Sequence, residues 1–399
     1  MKKAVLVVVV LVILGAGVFG FRRWILPHPE TAAESYFQQY EAHELTPDVE
    51  MQLRGIQGHF LNSLVTDFRM YEDMPPVMYR YPIAFTSYAL ASIAKIDPSY
   101  KRFSSHYMDK LLQKMKQKVV WEDWIKAGFG PDPVAKHNIM YRGHLNLMYG
   151  LYQLTSGDTK YEEEYKAFSK ALYEEMKQNE KETRFRGMPC QPDDYYVHCN
   201  SIGMYSLAVY DTLYKDTNYS ELIGPWLEWL KKRMVEPEHG VFRRSYHLEH
   251  DYAEELVSGY ATGWSIAFLM ALDPEFARLL YPQFKKTFIR KRLGGLYYYA
   301  SELPGGRPDD LATLCALYAA RAMNDAELLG GLVNSLDKIG GKKIEGEMLV
   351  FEKFPSPIWG MILFGKVNIG LEEFIAKKDW TKIASASRST TRTGTESQP

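Results

Sequence analysis

Cys190 and Cys199 lie nine residues apart in the stretch Met188-Pro-Cys-Gln-Pro-Asp-Asp-Tyr-Tyr-Val-His-Cys-Asn200, which mixes thiols, carboxylates, phenols and an imidazole. Three chemistries suit such a pair. A disulfide would fit an exported chain, because oxidising compartments preserve it. One short loop is an odd place, however, for the only bridge of a large domain. A zinc site would need more ligands; His198 and His144 are available, but no standard ligand spacing is present. Two working thiols are the third reading. Cys199 at a helix N-terminus would have its pKa lowered by the local dipole, with His144 on a neighbouring helix as its partner. The third cysteine, Cys315, sits in an apolar stretch and reads as core.

His144 lies in Asn138-Ile-Met-Tyr-Arg-Gly-His-Leu-Asn-Leu-Met-Tyr-Gly150. A lone histidine on an apolar helix is usually core, but Asn138, Arg142 and Asn146 accompany it within two turns. Met140 and Met148 read as packing, although a thioether also suits an apolar or cationic ligand. Asp193-Asp194 and Glu254-Glu255 are paired acids of the kind glycoside chemistry uses; acids at helix starts also serve as caps. Formal net charge is −1 over 399 residues, so no electrostatic footprint for nucleic acid is present. No cofactor and no metal is expected.

The elements that must position these groups repeat along the chain. Apolar segments at residues 81–95, 140–154, 199–214, 260–271 and 309–323 each close in a short polar turn. The turn aspartates fall at 97, 158, 216, 273 and 325, so the steps are 61, 58, 57 and 52 residues. A sixth apolar segment covers residues 357–370. Apolar nearly all round, these segments read as buried helices. Amphipathic stretches such as 161–177, 222–235 and 274–289 alternate with them. The pattern predicts an all-α fold, an (α/α)6 barrel over about residues 30–380, with one short hairpin around residues 296–300. Consecutive inner helices then run in the same direction. Tyr81, Met140 with His144, Cys190 with Cys199, and Tyr260 gather at one rim.

Both ends stand apart. Lys2-Lys3 precede an unbroken apolar run over residues 4–21, followed by Arg22-Arg23-Trp24. Eighteen apolar residues are the lower limit for a spanning helix and long for a signal peptide. Residues 1–24 read as an uncleaved signal anchor, with a cleaved signal peptide as the alternative. Either places the domain on the periplasmic or extracytoplasmic side. Residues 385–399 are Ser/Thr-rich and read as a disordered tail.

The two stretches quoted above resemble the linalool dehydratase-isomerase family. So do Val120-Trp-x-Asp-Trp-x-x-x-Gly-Phe-Gly-x-Asp-Pro133, Ile83-Ala-Phe-x-x-Tyr-x-Leu-Ala-Ser92 and Tyr281-Pro-x-Phe-Lys-x-Thr-Phe288. The resemblance runs over residues 78–290. It implies an (α/α)6 barrel and cofactor-free conversion of an allylic terpene alcohol, in which linalool gives myrcene or geraniol. Carried over by position, it implies that Cys190, Cys199, His144, Tyr81 and Tyr260 are catalytic and that Met140 and His198 bind substrate. A small apolar alcohol is the implied substrate and a homo-oligomeric ring the implied assembly. This chain departs from the family in three places. His198 stands where the family has glutamine. A cysteine pair outside the catalytic loop is missing. The family's N-terminal Asp-x5-Tyr, lent by a neighbouring subunit, has no match; Asp67 and Tyr71 are nearby but out of register.

Dehydrating an allylic alcohol needs an acid for the leaving hydroxyl, tolerance of an allylic cation and a base. The two thiols with His144 would handle protons at the ends of the allyl system, while Tyr81 and Tyr260 orient the hydroxyl. A thiolate adding to the allyl group would use the same residues. The alternatives are a glycan-processing barrel using Asp194 and Glu254 or Glu255, and a membrane-tethered binding barrel without turnover.

Overall fold

The computed structural model describes residues 29–292 and 297–376. The apolar run at residues 4–21 and the tail at 385–399 lie outside the described residues. No helix among the described residues is long and apolar enough to cross a membrane.

Among the described residues, six helix pairs build the barrel. Each pair runs outward-facing helix, rim loop, inner helix. The pairs are α2 (Pro47–Ile56) with α3 (Arg80–Ile96), α4 (Lys101–Met115) with α6 (Ile139–Ser156), and α7 (Glu162–Glu182) with α8 (Val197–Leu213). They continue with α9 (Ile223–Arg233) and α10 (Gly259–Leu272), α11 (Pro274–Phe288) and α12 (Asp310–Ala322), and α13 (Ala326–Gly340) and α14 (Ser356–Val367). An extra helix, α1 (Pro29–Ala42), packs on α13, and a short one, α5 (Glu122–Lys126), sits in the rim loop before α6. Neighbouring inner helices pack in the order α3, α6, α8, α10, α12, α14, and α14 closes the ring against α3.

The inner helices are buried on nearly every face, as their composition requires. Close approach is made where side chains vanish: a Cβ on Gly143 of α6 would sit 3.2 Å from the Gly203 nitrogen of α8. The short turns end the helices as the aspartate spacing suggests. Asp97 accepts from the Ser99 N–H, Asp158 from Lys160, Asp273 from Phe276 and Asp325 from Leu328, all at 2.8–3.0 Å. Asp97, Asp273 and Asp325 are N-caps of the helical turns that follow, each contributing about 1 kcal/mol, whereas Asp158 folds the turn ahead of its helix. Asp216 breaks the series. There Asp211, at the end of α8, accepts from the Tyr219 and Ser220 N–H groups instead.

Strands are more numerous than the sequence suggests. The expected hairpin is present as β6 (Ile289–Arg292) with β7 (Tyr297–Ala300). Among the described residues, three further ladders occupy rim loops: β2 (Val235–Glu236) with β3 (Val241–Phe242), β8 (Lys342–Glu345) with β9 (Met348–Phe351), and a three-stranded sheet. That sheet pairs β1 (Asp194–Tyr195) with β4 (Tyr246–His247), and β4 with β5 (Tyr252–Ala253). Ladders of two to four residues are too short for a period to show in sequence. All four precede inner helices, so one rim carries long, paired loops and the other only tight turns.

Ring closure makes a test. A Cβ on Gly360 of α14 would overlap the buried, β-branched Thr86 of α3. Gly360→Ala should lower stability by about 1–3 kcal/mol, read as a lower denaturant midpoint with an unchanged slope.

Candidate active site

The loop carrying Cys190 is fastened on three sides. The Ile139 N–H, at the start of α6, donates to the Pro189 carbonyl at 3.2 Å. The Cys190 N–H donates to the Asp194 carbonyl at 2.8 Å and closes a tight turn. Asn200 of α8 accepts from the Met188 N–H at 2.8 Å and donates to the Met188 carbonyl at 2.9 Å, so its amide imitates a rung of a β-ladder. Gly187 has φ 102°, and a Cβ there would strike the Asn200 amide. This clamp brings Cys190 against Cys199, in the first turn of α8. Both are free thiols, 1% and 2% exposed.

Their surroundings divide them. Cys190 is pushed well above the usual thiol range, first by burial and then by its hydrogen bond with Cys199. For Cys199 burial also acts upward, but it is outweighed. The hydrogen bond from Cys190, the charge and hydrogen bond of His198 and the Arg80 guanidinium bring this thiol below its ordinary range. The two shifts are opposed: Cys199 is the more acidic thiol of the pair, and Cys190 holds its proton and donates it in their hydrogen bond. Sequence spacing pairs Cys199 with His144; in the structure the imidazole acting on it is that of its neighbour, His198.

Arg80 begins α3, is fully buried, and lies 2.5 Å from the Asp123 carboxylate of α5. This is what the Trp121-Glu-Asp123-Trp motif does: it braces a buried cation beside the thiols. Removing one partner of such a pair costs about 3–5 kcal/mol.

Aromatic rings enclose the thiols. The Tyr81 hydroxyl donates to the Met140 sulfur at 2.7 Å. The Tyr81 ring meets Trp264 edge-on at 5.1 Å and His144 at 5.5 Å. His198 lies edge-on to Tyr260 at 5.2 Å and against Trp264 at 5.3 Å. Phe85 closes the floor, 5.0 Å from Trp264 and stacked on Tyr318 at 4.9 Å. Trp264 and Phe85 are absent from the sequence-based site, yet each lies four residues after a tyrosine assigned to it, on the same helix face.

His144 is held neutral, because burial and then the charges of Arg80 and His198 push its pKa well down. Tyr88 of α3 lies 2.8 Å from its Nδ1, and its Nε2 is buried with no partner among the described residues. The polar residues that flag His144 in sequence do not serve it. Arg142 binds Glu175 at 2.5 Å, Asn146 binds Ser206 and Ser169, and Asn138 donates to the Pro133 carbonyl. Tyr71 is fully buried against Phe60, Phe68 and Tyr79, and Asp67 pairs with Arg69, so both serve this chain's own packing.

The paired acids are occupied. His247 lies 3.0 Å from Asp194, Asp193 accepts from the Glu249 N–H, and Arg244 grips Glu254 with two bonds of 2.8 Å. That grip holds Glu254 below the usual carboxylate range, the reverse of what a glycosidase acid needs. Glu255 is exposed. Two carboxyls among the described residues depart upward: Asp310, by burial and then the neighbouring Asp309, and Glu302, raised to about 7 by burial. Glu302 follows β7, and no local pattern distinguishes it in sequence from an ordinary surface glutamate. Among the described residues, no group of three or more His, Cys, Asp or Glu side chains is arranged to hold a metal.

Fold and site together define an (α/α)6 barrel with a thiol–imidazole centre under an aromatic wall. Residues 80–354 match the linalool dehydratase/isomerase family, and the chain belongs to it. The match extends past the motifs that end at Phe288 and takes in β6 to β9. Solved structures share the fold at low identity. One is a protein described as a possible member of the GH105 family from Salmonella enterica serovar Paratyphi A, with TM-score 0.55, 12% identity, and 83% of this chain and 96% of that one covered. Another is a GH76 alpha-mannanase from Bacteroides thetaiotaomicron, with TM-score 0.52, 11% identity and coverages of 87% and 100%. A third is an alpha-1,6-mannanase from Salegentibacter, with TM-score 0.51, 14% identity and coverages of 80% and 98%.

The divided thiols can be read directly by thiolate ultraviolet absorption. One thiolate should be present at neutral pH and vanish on acidification, and Cys199→Ala should abolish it. His198→Ala removes a cause of the low pKa, so the transition should move to higher pH.

Proposed function

We propose that this protein is a cofactor-independent hydro-lyase or isomerase of an allylic, monoterpene-like alcohol, of the kind that converts linalool to myrcene or geraniol. The observation that carries the reading is the opposed proton affinity of Cys190 and Cys199. A buried base ready at neutral pH, beside a thiol that can return hydrogen bonding to it, suits removal of a proton from carbon. Family membership supports the same chemistry.

In this reading the C–O bond breaks to an allylic cation inside the aromatic wall, where ring faces of Tyr81, Tyr260, Trp264 and Phe85 stabilise positive charge in a dry site. The Cys199 thiolate takes a proton from the carbon beside the cation, giving the diene; water returning at the other end gives the isomeric alcohol. Tyr81 and Tyr260 orient the hydroxyl. Both phenols are held protonated, Tyr260 by burial and then by Glu302, so they donate hydrogen bonds. Met140 and His198 line the substrate, and the neutral His144 offers Nε2.

The glycan-processing alternative loses support because Arg244 ties Glu254 in an ion pair, His247 lies against Asp194, and Glu255 is exposed. We further propose that residues 1–24 anchor the chain with the barrel on the extracytoplasmic side; the basic residues flanking the apolar run support this. Family membership supports a homo-oligomeric ring.

Reduced protein incubated with linalool should release a volatile diene and geraniol, detected by headspace gas chromatography. Cys190→Ala and Cys199→Ala should each lose at least about 100-fold in turnover; full activity in either variant would sink the proposal. Oligosaccharide panels should give no product.

A further inference from the structure

The leaving hydroxyl needs a proton, and none of the groups assigned above supplies one well. The Cys190 thiol is pushed up and is a poor acid, Cys199 is the base in the reading above, and burial pushes the His144 imidazole well down. An effective general acid titrates near the working pH. Glu302 sits at the same rim. Its Oε2 accepts the Tyr260 N–H at 3.0 Å, and its carbonyl accepts the Gly259 N–H at 2.8 Å, so the start of α10 fixes it beside Tyr260. The facing groups are Ser258 and Tyr260 from the start of α10, His198 from α8, and Asp309 and Cys315 from the start and body of α12. Two buried atoms here have no hydrogen-bond partner among the described residues: Glu302 Oε1 and His198 Nδ1. They belong to residues within electrostatic reach of each other. A hydroxyl, which both donates and accepts, would satisfy the two together.

We propose that Glu302 is the acid that protonates the leaving hydroxyl, received between Glu302 Oε1 and His198 Nδ1. The proposal rests on the functional reading above. The Glu302 carboxyl gives its proton to the hydroxyl oxygen. The C–O bond breaks with its electron pair leaving on oxygen, so water, an allylic cation and the Glu302 carboxylate remain. The Cys199 thiolate then takes a proton from the adjacent carbon, and the C–H electrons form the new double bond. That proton returns from Cys199 through His198 to Glu302, leaving alcohol converted to diene plus water.

Glu302→Gln keeps an acceptor for the Tyr260 N–H and removes the acid. With linalool, kcat should fall by about 100- to 10,000-fold while KM stays close to the original. The wild-type rate should fall as pH rises past about 7, when Glu302 loses its proton, and that limb should be absent from the residual activity of the variant. Geranyl chloride, whose leaving group needs no proton, should restore turnover in Glu302→Gln, above a protein-free blank, but not in Cys199→Ala. Unchanged kcat and pH limb in Glu302→Gln would overturn the role of Glu302 alone. So would loss of activity on both alcohol and chloride, which marks a structural part. A reduced wild-type protein inactive on every allylic alcohol would instead overturn the functional reading, and the acid role with it.

Discussion

An acidic thiol kept away from water is the constraint on which this centre depends. An unpaired buried charge costs several kcal/mol, and each hydrogen bond to a charged group returns about 1.5–3 kcal/mol. One partner is therefore too few. Cys199 has the Cys190 thiol, the His198 imidazole and the Arg80 guanidinium. Each must be held in place by something else. Asp123 braces Arg80, the Asn200 amide pins the loop that carries Cys190, and Trp264 with Tyr260 fixes the His198 ring. The rim loops are accordingly ordered by side chains as much as by their short ladders.

The barrel makes that convergence available. Six inner helices running the same way put six first turns on one rim, and the chain spends its long loops there. The opposite rim is closed by turns with aspartate caps and offers little to build on. The same scaffold carries the mannanases it resembles in fold. The local differences lie in the side chains: Arg244 grips Glu254, His247 lies against Asp194, and the two thiols are buried and divided. Fold is thus shared widely, and chemistry follows from which side chains are left unpaired.

Much of the architecture was legible in the chain. Apolar segments at steps of 52 to 61 residues, each closed by an aspartate, define the inner helices to within a few residues of their observed ends. Caps and apolar patterning act within one helix turn, so they show in a linear reading. The rim ladders did not, because two paired residues leave no period. Asn138, Arg142 and Asn146 misled for a related reason. Arg142 and Asn146 share a helix with His144 but point into the packing against α7 and α8, and Asn138, just before that helix, ties the rim loop at Pro133; spacing alone does not tell an inward face from an outward one when every face is buried.

Sequence by itself determined the barrel, the rim on which chemistry collects, and the membership of Tyr81, Met140, His144, Cys190, Cys199 and Tyr260 in one place. Helix period and connection length are local properties, and they suffice for that. Only the tertiary structure decided that His198 rather than His144 acts on Cys199, that Arg80 stands behind both, and that Glu302 rather than Asp194 or Glu254 carries the raised pKa. Those outcomes depend on burial and on distances between helices that are far apart in the chain. A proton affinity is set by everything surrounding a group, and no spacing along one segment encodes that.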